Sequence, residues 1–194
     1  GLALFGTLLH DIGKPLTMKT GDDDSLHYYG HARVGADLAW EAARRLRLSN
    51  AEADWIQTMV RRHMDLLPLV NERESLSRQA IYRFFNKTEE VGIAIALLSL
   101  ADTRATYGDS ISHEKWEMAV RVTKALFSAW WEHHGTVVSP SLLLDGDDLQ
   151  REFGLAPGKQ IGQLLELLRE AQAVGRVNSL EEAKSFIRSR VNQQ

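Results

Sequence analysis

The chain has no cysteine, which excludes disulfides, a thiolate nucleophile and Cys-ligated zinc. Any metal centre must therefore be built from His, Asp and Glu, and the composition is compatible with the cytosol. No apolar run approaches the roughly 20 residues needed to span a bilayer. The apolar and charged fractions, 44% and 25%, are ordinary for a globular chain, so a soluble, cytoplasmic protein without a membrane partner is expected. Net charge is also scarce, at −3 from 23 basic and 26 acidic residues. That balance argues against a broadly electropositive surface for nucleic acid, although a local cluster of arginines would still contact phosphates. Repeats, heptads and low-complexity tracts are missing, and nothing suggests a sheet. A length of 194 residues suits one moderate domain with a small appendage, or a single larger helical unit.

What is present is organised around Leu8-Leu9-His10-Asp11-Ile12-Gly13-Lys14-Pro15. Residues 2–10 are predicted to be helical, with Leu4 and Leu8 on the face of Asp11 at i, i+4, i+7 spacing, which places the His-Asp pair on buried ground. Gly13 and Pro15 stop the helix. An imidazole nitrogen and a carboxylate oxygen side by side are complementary ligands for a borderline divalent cation, and an uncompensated charge there would be costly. The chain opens inside this helix at Gly1, without Met or a charged leader, and is expected to be a piece of a longer polypeptide.

Residues 20–25, Thr-Gly-Asp-Asp-Asp-Ser, form a surface loop; Asp22, Asp23 and Asp24 either are simply solvated or rim a metal mouth, and their spacing is not that of an EF-hand. Helical spacing over residues 28–48 puts His31, Gly35, Leu38 and Ala42 on one stripe. A second helix, capped by Ser49 or Asn50, carries Ile56, Met59, Val60, His63 and Leu67 on its buried face. Residues 66–76, with Pro68, are expected to be a loop or broken turn. Residues 77–87 form a short basic amphipathic helix with Arg78, Arg83 and Lys87. The run 91–101 is almost wholly apolar and marks a central buried helix, at whose end Asp102 needs a partner, either Arg104 or a metal. A long helix over 113–134 carries Trp116, Val120, Leu126, Phe127, Trp130 and Trp131. Residues 135–140 are expected to be a linker to a second helical unit, with helices through Ile161, Leu164, Leu165, Leu168 and Ala171 and over 180–191.

His10, Asp11, His31, His63 and Asp102 thus each fall at a helix end or on an apolar stripe. Singly, each has an ordinary explanation as a hydrogen-bonded core histidine, a cap or an ion pair. Together they are a ligand set for one or two divalent cations held between facing helices. Nitrogen and oxygen donors without sulfur suit Mn, Ni, Fe, Co, Zn or Mg.

The string from Leu8 to Pro15 resembles the signature of the HD superfamily of metal-dependent phosphohydrolases. The resemblance implies an all-α helical bundle in which His10, Asp11 and the distant Asp102 serve one metal and His31 and His63 belong to a second-metal set. The first histidine of the family pattern would lie upstream of Gly1. It further implies hydrolysis of phosphomonoesters or 2′,3′-cyclic phosphates, with Asp11 bridging two metals and Lys14 steadying a substrate phosphate. Arg33, Arg62 and Arg104 are further cations, read either as assistants or as surface charges. The tail motifs Leu144-Asp145-Gly146, Asp148-Leu149, Pro157-Gly158, Ile161-Gly162, Leu165 and Glu181-Glu182-Ala183 look like the C-terminal region of bacterial tRNA nucleotidyltransferases and poly(A) polymerases. Lys159 stands where that family often has proline. Residues 26–48 also look like the HD part of those enzymes, whose glycine-rich catalytic head has no counterpart here.

The division implied is an HD domain over 1–136 and a small helical RNA-contacting tail over 137–194. In the tail, Gly158 and Lys159 open a helix N-terminus that either receives an RNA phosphate or only allows tight packing. By this resemblance tRNA or another RNA 3′ end is the expected partner, with a phosphorylated small molecule as the other substrate class. Two alternatives stand beside a phosphohydrolase. One is a non-catalytic scaffold that orients tRNA through Arg44, Arg45, Arg47, Arg61 and Arg62; the other is a free-standing nucleotidase.

Overall fold

The apolar opening segment forms α1 (Leu2–Leu9), but it buries a different face from the one its i, i+4, i+7 pattern marks. Leu4 and Leu8 are 78% and 77% exposed, whereas Leu2, Phe5 and Leu9 pack on a core of Ala36, Ala39, Ala43, Ala53, Ile56 and Val60. Nearly every residue of α1 is apolar, so periodicity could not choose the face; the neighbouring helices do. The computed structural model describes residues 1–71 and 76–192.

After α1 come a short α2 (Lys14–Thr17) and an antiparallel hairpin of β1 (Lys19–Thr20) and β2 (Leu26–His27), with Lys19 opposite His27 and Thr20 opposite Leu26. This two-stranded ribbon is a correction to the expectation of no sheet; it is too short to show an alternating pattern. Asp23 is not free on a rim, because its Oδ1 accepts from the Ser25 amide at 3.1 Å and so closes the hairpin turn.

Two helices then form the centre of the first unit. On α3 (His31–Arg45), Ala36, Ala39 and Ala43 make a stripe of small side chains, and on α4 (Asn50–Arg62), Ala53, Ile56 and Val60 fill the space these leave. Ser49 starts α4 with a reciprocal cap: its hydroxyl accepts from the Glu52 amide at 3.2 Å and the Glu52 carboxylate accepts from the Ser49 amide at 2.8 Å. A 3₁₀ turn (His63–Leu66) follows, rotating the pattern so that Leu66 is buried and Leu67 is 43% exposed. The expected loop over 66–76 is helical as α5 (Leu67–Asn71), and residues 72–75 lie outside the described ones. After α6 (Arg78–Thr88), α7 (Val91–Tyr107) buries Val91, Ala94, Ile95, Ala96 and Leu98 and continues beyond the apolar run, so Asp102 is inside the helix rather than at its end.

The described chain divides into two compact units, Gly1–Ser75 with Thr88–Lys124 and Leu76–Lys87 with Ala125–Gln194. The second contains most of α6, the later part of α8 (His113–Glu132), α9 (Gly146–Phe153), α10 (Lys159–Ala173) and α11 (Leu180–Val191). Its core is Leu144, Leu149, Ile161, Leu164, Leu168, Ala171, Val177, Ala183 and Ile187. Glu166 accepts from Tyr82 and Asn86, and Glu170 from Gln79 and Arg83, tying α6 to α10. This partition interleaves along the chain and so differs from a cut at residues 136/137. Residues 135–140 are also not an exposed linker, since a π-helical turn (His134–Val138) buries Val137 and Val138.

Candidate metal centre

His10 ends α1 in helical geometry and Asp11 follows in a tight turn closed by the Lys14 amide donating to the Asp11 carbonyl at 2.9 Å. That turn presses directly on the start of α3. A Cβ on Gly13 would lie 2.2 Å from the His31 carbonyl oxygen and 2.6 Å from the Gly35 amide nitrogen. Gly13 has an ordinary helical backbone, φ −80°, so its requirement is space rather than conformational freedom. At the α3 start Gly30, φ +79°, makes the left-handed bend that leads into His31. The contact of Gly13 with Gly35 therefore sets Asp11 beside His31, while α4 and its 3₁₀ continuation bring in His63.

The side chains converge. Asp11 Oδ1 lies 3.4 Å from His31 Nε2 and 3.8 Å from His63 Nε2; Oδ2 lies 3.3 Å from His10 Nε2 and accepts from Lys14 Nζ at 2.5 Å. Asp102, 53% exposed, reaches to 3.8 Å from His10 Nε2. Arg104 is not its partner, because Arg104 bonds the Gly108 carbonyl at 2.7 Å and Asp109 at 2.9 Å. All six sequence-derived residues, His10, Asp11, Lys14, His31, His63 and Asp102, thus share one locality; Asp11, His31 and His63 offer ligand atoms within 4.8 Å of one another. Gly158 and Lys159 belong to the second unit, exposed at the start of α10.

Each histidine has its other nitrogen committed. His10, His31 and His63 place Nδ1 at 2.7, 2.8 and 2.7 Å from the carbonyls of Thr7, Tyr28 and Val60. A carbonyl can only accept, so each Nδ1 carries the proton and each Nε2 presents a lone pair. His31 Nε2 and His63 Nε2 then face each other at 3.2 Å, lone pair to lone pair wherever each ring carries only its Nδ1 proton. Such an opposition is unfavourable unless an electrophile, a proton or a metal cation, sits against it. Protonation is disfavoured at His63: burial lowers its pKa, the bond to Val60 opposes, and the charges of His10 and His31 push it down further, leaving the net shift below the ordinary value. At Asp11 burial acts to raise the pKa, but the Lys14 hydrogen bond and the charges of His10, Lys14 and His63 outweigh it, so the carboxylate stays ionised. The donor set, an anionic oxygen with neutral imidazoles held in one tautomer by carbonyls, fits a divalent cation in both charge and chemistry.

Sequence reasoning missed Tyr28. Its carbonyl orients His31, and its ring centroid lies 5.6 Å from the Lys14 ammonium. The orienting carbonyls belong to the residue three before each histidine, a relation that depends on backbone shape and leaves no trace in residue type.

A helical bundle that brings histidines and aspartates from separate helices to one place has the donor arrangement that a side-chain metal centre of a helical protein needs. Residues 1–106 match the HD domain model, and the chain belongs to the HD domain family. It is 33% identical over 186 residues to the CC-adding tRNA nucleotidyltransferase of Thermus thermophilus, covering 95% of this chain and 39% of that protein. It is 33% identical over 187 residues to the A-adding tRNA nucleotidyltransferase of Deinococcus radiodurans, covering 96% and 41%. A CC-adding tRNA nucleotidyltransferase of Geobacter sulfurreducens is 48% identical over 46 residues, 24% of this chain and 11% of that protein. The chain thus spans about two-fifths of the length of the first two relatives.

Proposed function

We propose that this chain is the HD portion and tail of a cytoplasmic tRNA nucleotidyltransferase-like protein, and that its cluster is a divalent metal centre hydrolysing phosphomonoesters or 2′,3′-cyclic phosphates, free or at RNA ends. The observation that carries this reading is the opposition of two bare Nε2 lone pairs, 3.2 Å apart, beside an ionised Asp11. Asp11, His31 and His63 would hold one cation, and His10 and Asp102 with the other Asp11 oxygen would hold a second. A bound divalent cation supplies acidification of water and neutralisation of phosphoryl charge. Asp11 and Lys14 are the catalytic residues of the proposal: Asp11 holds the anionic charge at the centre, and Lys14 Nζ holds a phosphoryl oxygen as a point charge. The Tyr28, Thr7 and Val60 carbonyls keep every Nε2 aimed inward.

The test is elemental mass spectrometry of the purified chain, with His31→Ala beside it, after incubation with manganese or nickel. Bound metal that falls in the variant supports the centre. A chain that takes up no metal, or a variant that retains it all, overturns the assignment.

A second reading, RNA contact by the tail, is favoured by the match to tRNA nucleotidyltransferases over nearly the whole chain. In it Gly158 and Lys159 meet an RNA phosphate; Lys159 has no ion pair among the described residues. Filter binding of tRNA should then weaken with salt and with Lys159→Ala. Binding that is equally tight in the variant at every salt concentration removes these residues from the reading.

A further inference from the structure

Beside the centre, β2 ends at His27, and Tyr28 and Tyr29 lead through a turn into the Gly30 bend and His31. Tyr29 is 78% exposed, an unusual position for a large aromatic that makes no hydrogen bond among the described residues. It is nevertheless not a loose side chain. Its ring is stacked on that of His27, with centroids 5.1 Å apart and planes 15° apart. His27 is in turn held, its Nε2 2.9 Å from the Ser25 hydroxyl, which also donates to Asp23 Oδ1 at 2.5 Å. His27, held by Ser25 and through it by Asp23, thus braces one face of a Tyr29 ring that is otherwise largely exposed.

The place of this ring matters as much as its exposure. Tyr29 is two residues from His31, so their Cα atoms are within roughly 7 Å. The preceding residue, Tyr28, has its ring near Lys14 and its carbonyl on His31 Nδ1. Arg33, two residues beyond His31, is exposed and has no ion pair among the described residues. The same short segment therefore carries the cluster histidine, the exposed cation Arg33 and, two residues before that histidine, an exposed aromatic ring. That is the complement of a molecule with a phosphate at one end and a flat π-system at the other.

We propose that Tyr29, backed by His27, is a stacking platform for the base of a nucleoside phosphate whose phosphate lies at the metal centre, making Tyr29 a specificity-determining residue. A pre-stacked ring loses little rotamer freedom on binding, so the contact contributes to affinity rather than to ordering the loop. Base–aromatic stacking is worth about 1–3 kcal/mol by alanine substitution, or roughly 5- to 150-fold in affinity. The proposal rests on the phosphoester reading of the centre, and the test separates the two.

The experiment compares the manganese-loaded chain with Tyr29→Ala, Tyr29→Phe and Tyr29→Trp. Adenosine 3′-phosphate and glycerol phosphate serve as probes, both for hydrolysis and for equilibrium binding. The expected result is that Tyr29→Ala weakens adenosine 3′-phosphate about tenfold in KM or Kd, leaves kcat and glycerol phosphate unchanged, and that Phe or Trp restores binding. Equal effects on both probes, or no effect on the nucleotide, overturn the platform. If wild type hydrolyses neither probe, the phosphohydrolase reading fails and the binding arm still decides: a tenfold loss confined to the nucleotide supports the platform, and nucleotide binding that is absent or indifferent to Tyr29 overturns it. A trinucleotide ending in a 3′-phosphate, run in parallel, tells a free nucleotide from an RNA end.

Discussion

At the scale of single residues, the centre depends on proton placement. Three histidines donate Nδ1–H to backbone carbonyls, and this, as much as their proximity, leaves each Nε2 free to serve as a ligand. Asp11 is the group all of them share. Asp11→Asn should therefore cost more metal affinity than the roughly 10–100-fold typical of losing an outer-shell partner, whereas Asp102→Asn, at an exposed position whose one ion-pair contact among the described residues is His10, should cost less. Competition titration with a metal-binding dye ranks the two, and a larger loss in the Asp102 variant would reverse the assignment. Another residue-scale device is Tyr82, buried to 1%, whose hydroxyl donates to Glu166 at 2.8 Å. Burial, then the bond to Glu166 and its charge, raise the Tyr82 pKa far above its ordinary 10.0. A raised folded pKa means that the stabilisation is fully present below pH 10.0 and is lost as pH rises through the folded value. Tyr82→Phe should cost about 1.5–3 kcal/mol near neutrality, as for a hydrogen bond to a charged group. Urea midpoints of the two proteins should converge as the pH is raised above 10; parallel curves would show that this hydroxyl does not govern the alkaline limb.

Among the elements, the turn between α1 and α3 is the joint on which the site hinges. Gly13 meets backbone of α3 at distances no Cβ tolerates, while a Cβ on Gly35 would meet Gly13 nitrogen at 3.1 Å and Val60 Cγ1 at 3.4 Å. Gly13→Ala should destabilise by about 1–3 kcal/mol or more, as overpacking against atoms that cannot yield, and Gly35→Ala by less. Because the clash parts Asp11 from His31, Gly13→Ala should also lower metal affinity. Thermal melts and the same dye titration check both, and a stable Gly13→Ala chain with full metal affinity would contradict the packing argument. The His-Asp-Ile-Gly-Lys string was legible as a unit, but as ligands followed by a helix stop; that its glycine is a contact surface for α3 needed the second helix in place.

On the scale of the whole molecule, the proposed metal binding would be linked to folding, since the candidate ligands come from the end of α1 and the turn after it, α3, the turn after α4 and α7, which are far apart in the unfolded chain. Cation at about 100 times its Kd should add about 2.7 kcal/mol to stability. Chelation should remove that increment, with a lower melting temperature in His31→Ala even when metal is supplied. A melting curve indifferent to both metal and chelator would count against a preformed centre. The architecture also shows where linear reading stops. Helix identity was plain from periodicity over 31–45, 50–62, 159–173 and 180–191, where polar and apolar residues alternate with the turn. For α1 and the apolar half of α7, also read as helices, periodicity did not mark the buried face, because almost all positions are apolar and the exposed Leu4, Leu8 and Leu97 look like their buried neighbours. The interleaved units escaped it too: Arg78 donates to the carbonyls of Ala173 and Thr136, and no local pattern announces a partner 95 residues away.

By itself the sequence determined the all-helical class and named a candidate set of metal-ligating donors, His10, Asp11, His31, His63 and Asp102. Those follow from composition, from helical period and from the donor atoms that His and Asp possess wherever they stand. Tertiary structure alone decided which face of α1 is buried, that Asp102 answers His10 rather than Arg104, that the acidic loop is a braced hairpin, and which nitrogen of each imidazole faces the centre. These depend on what comes to lie opposite each group: a different segment of the chain for α1 and Asp102, and the local backbone shape for the hairpin and the imidazoles.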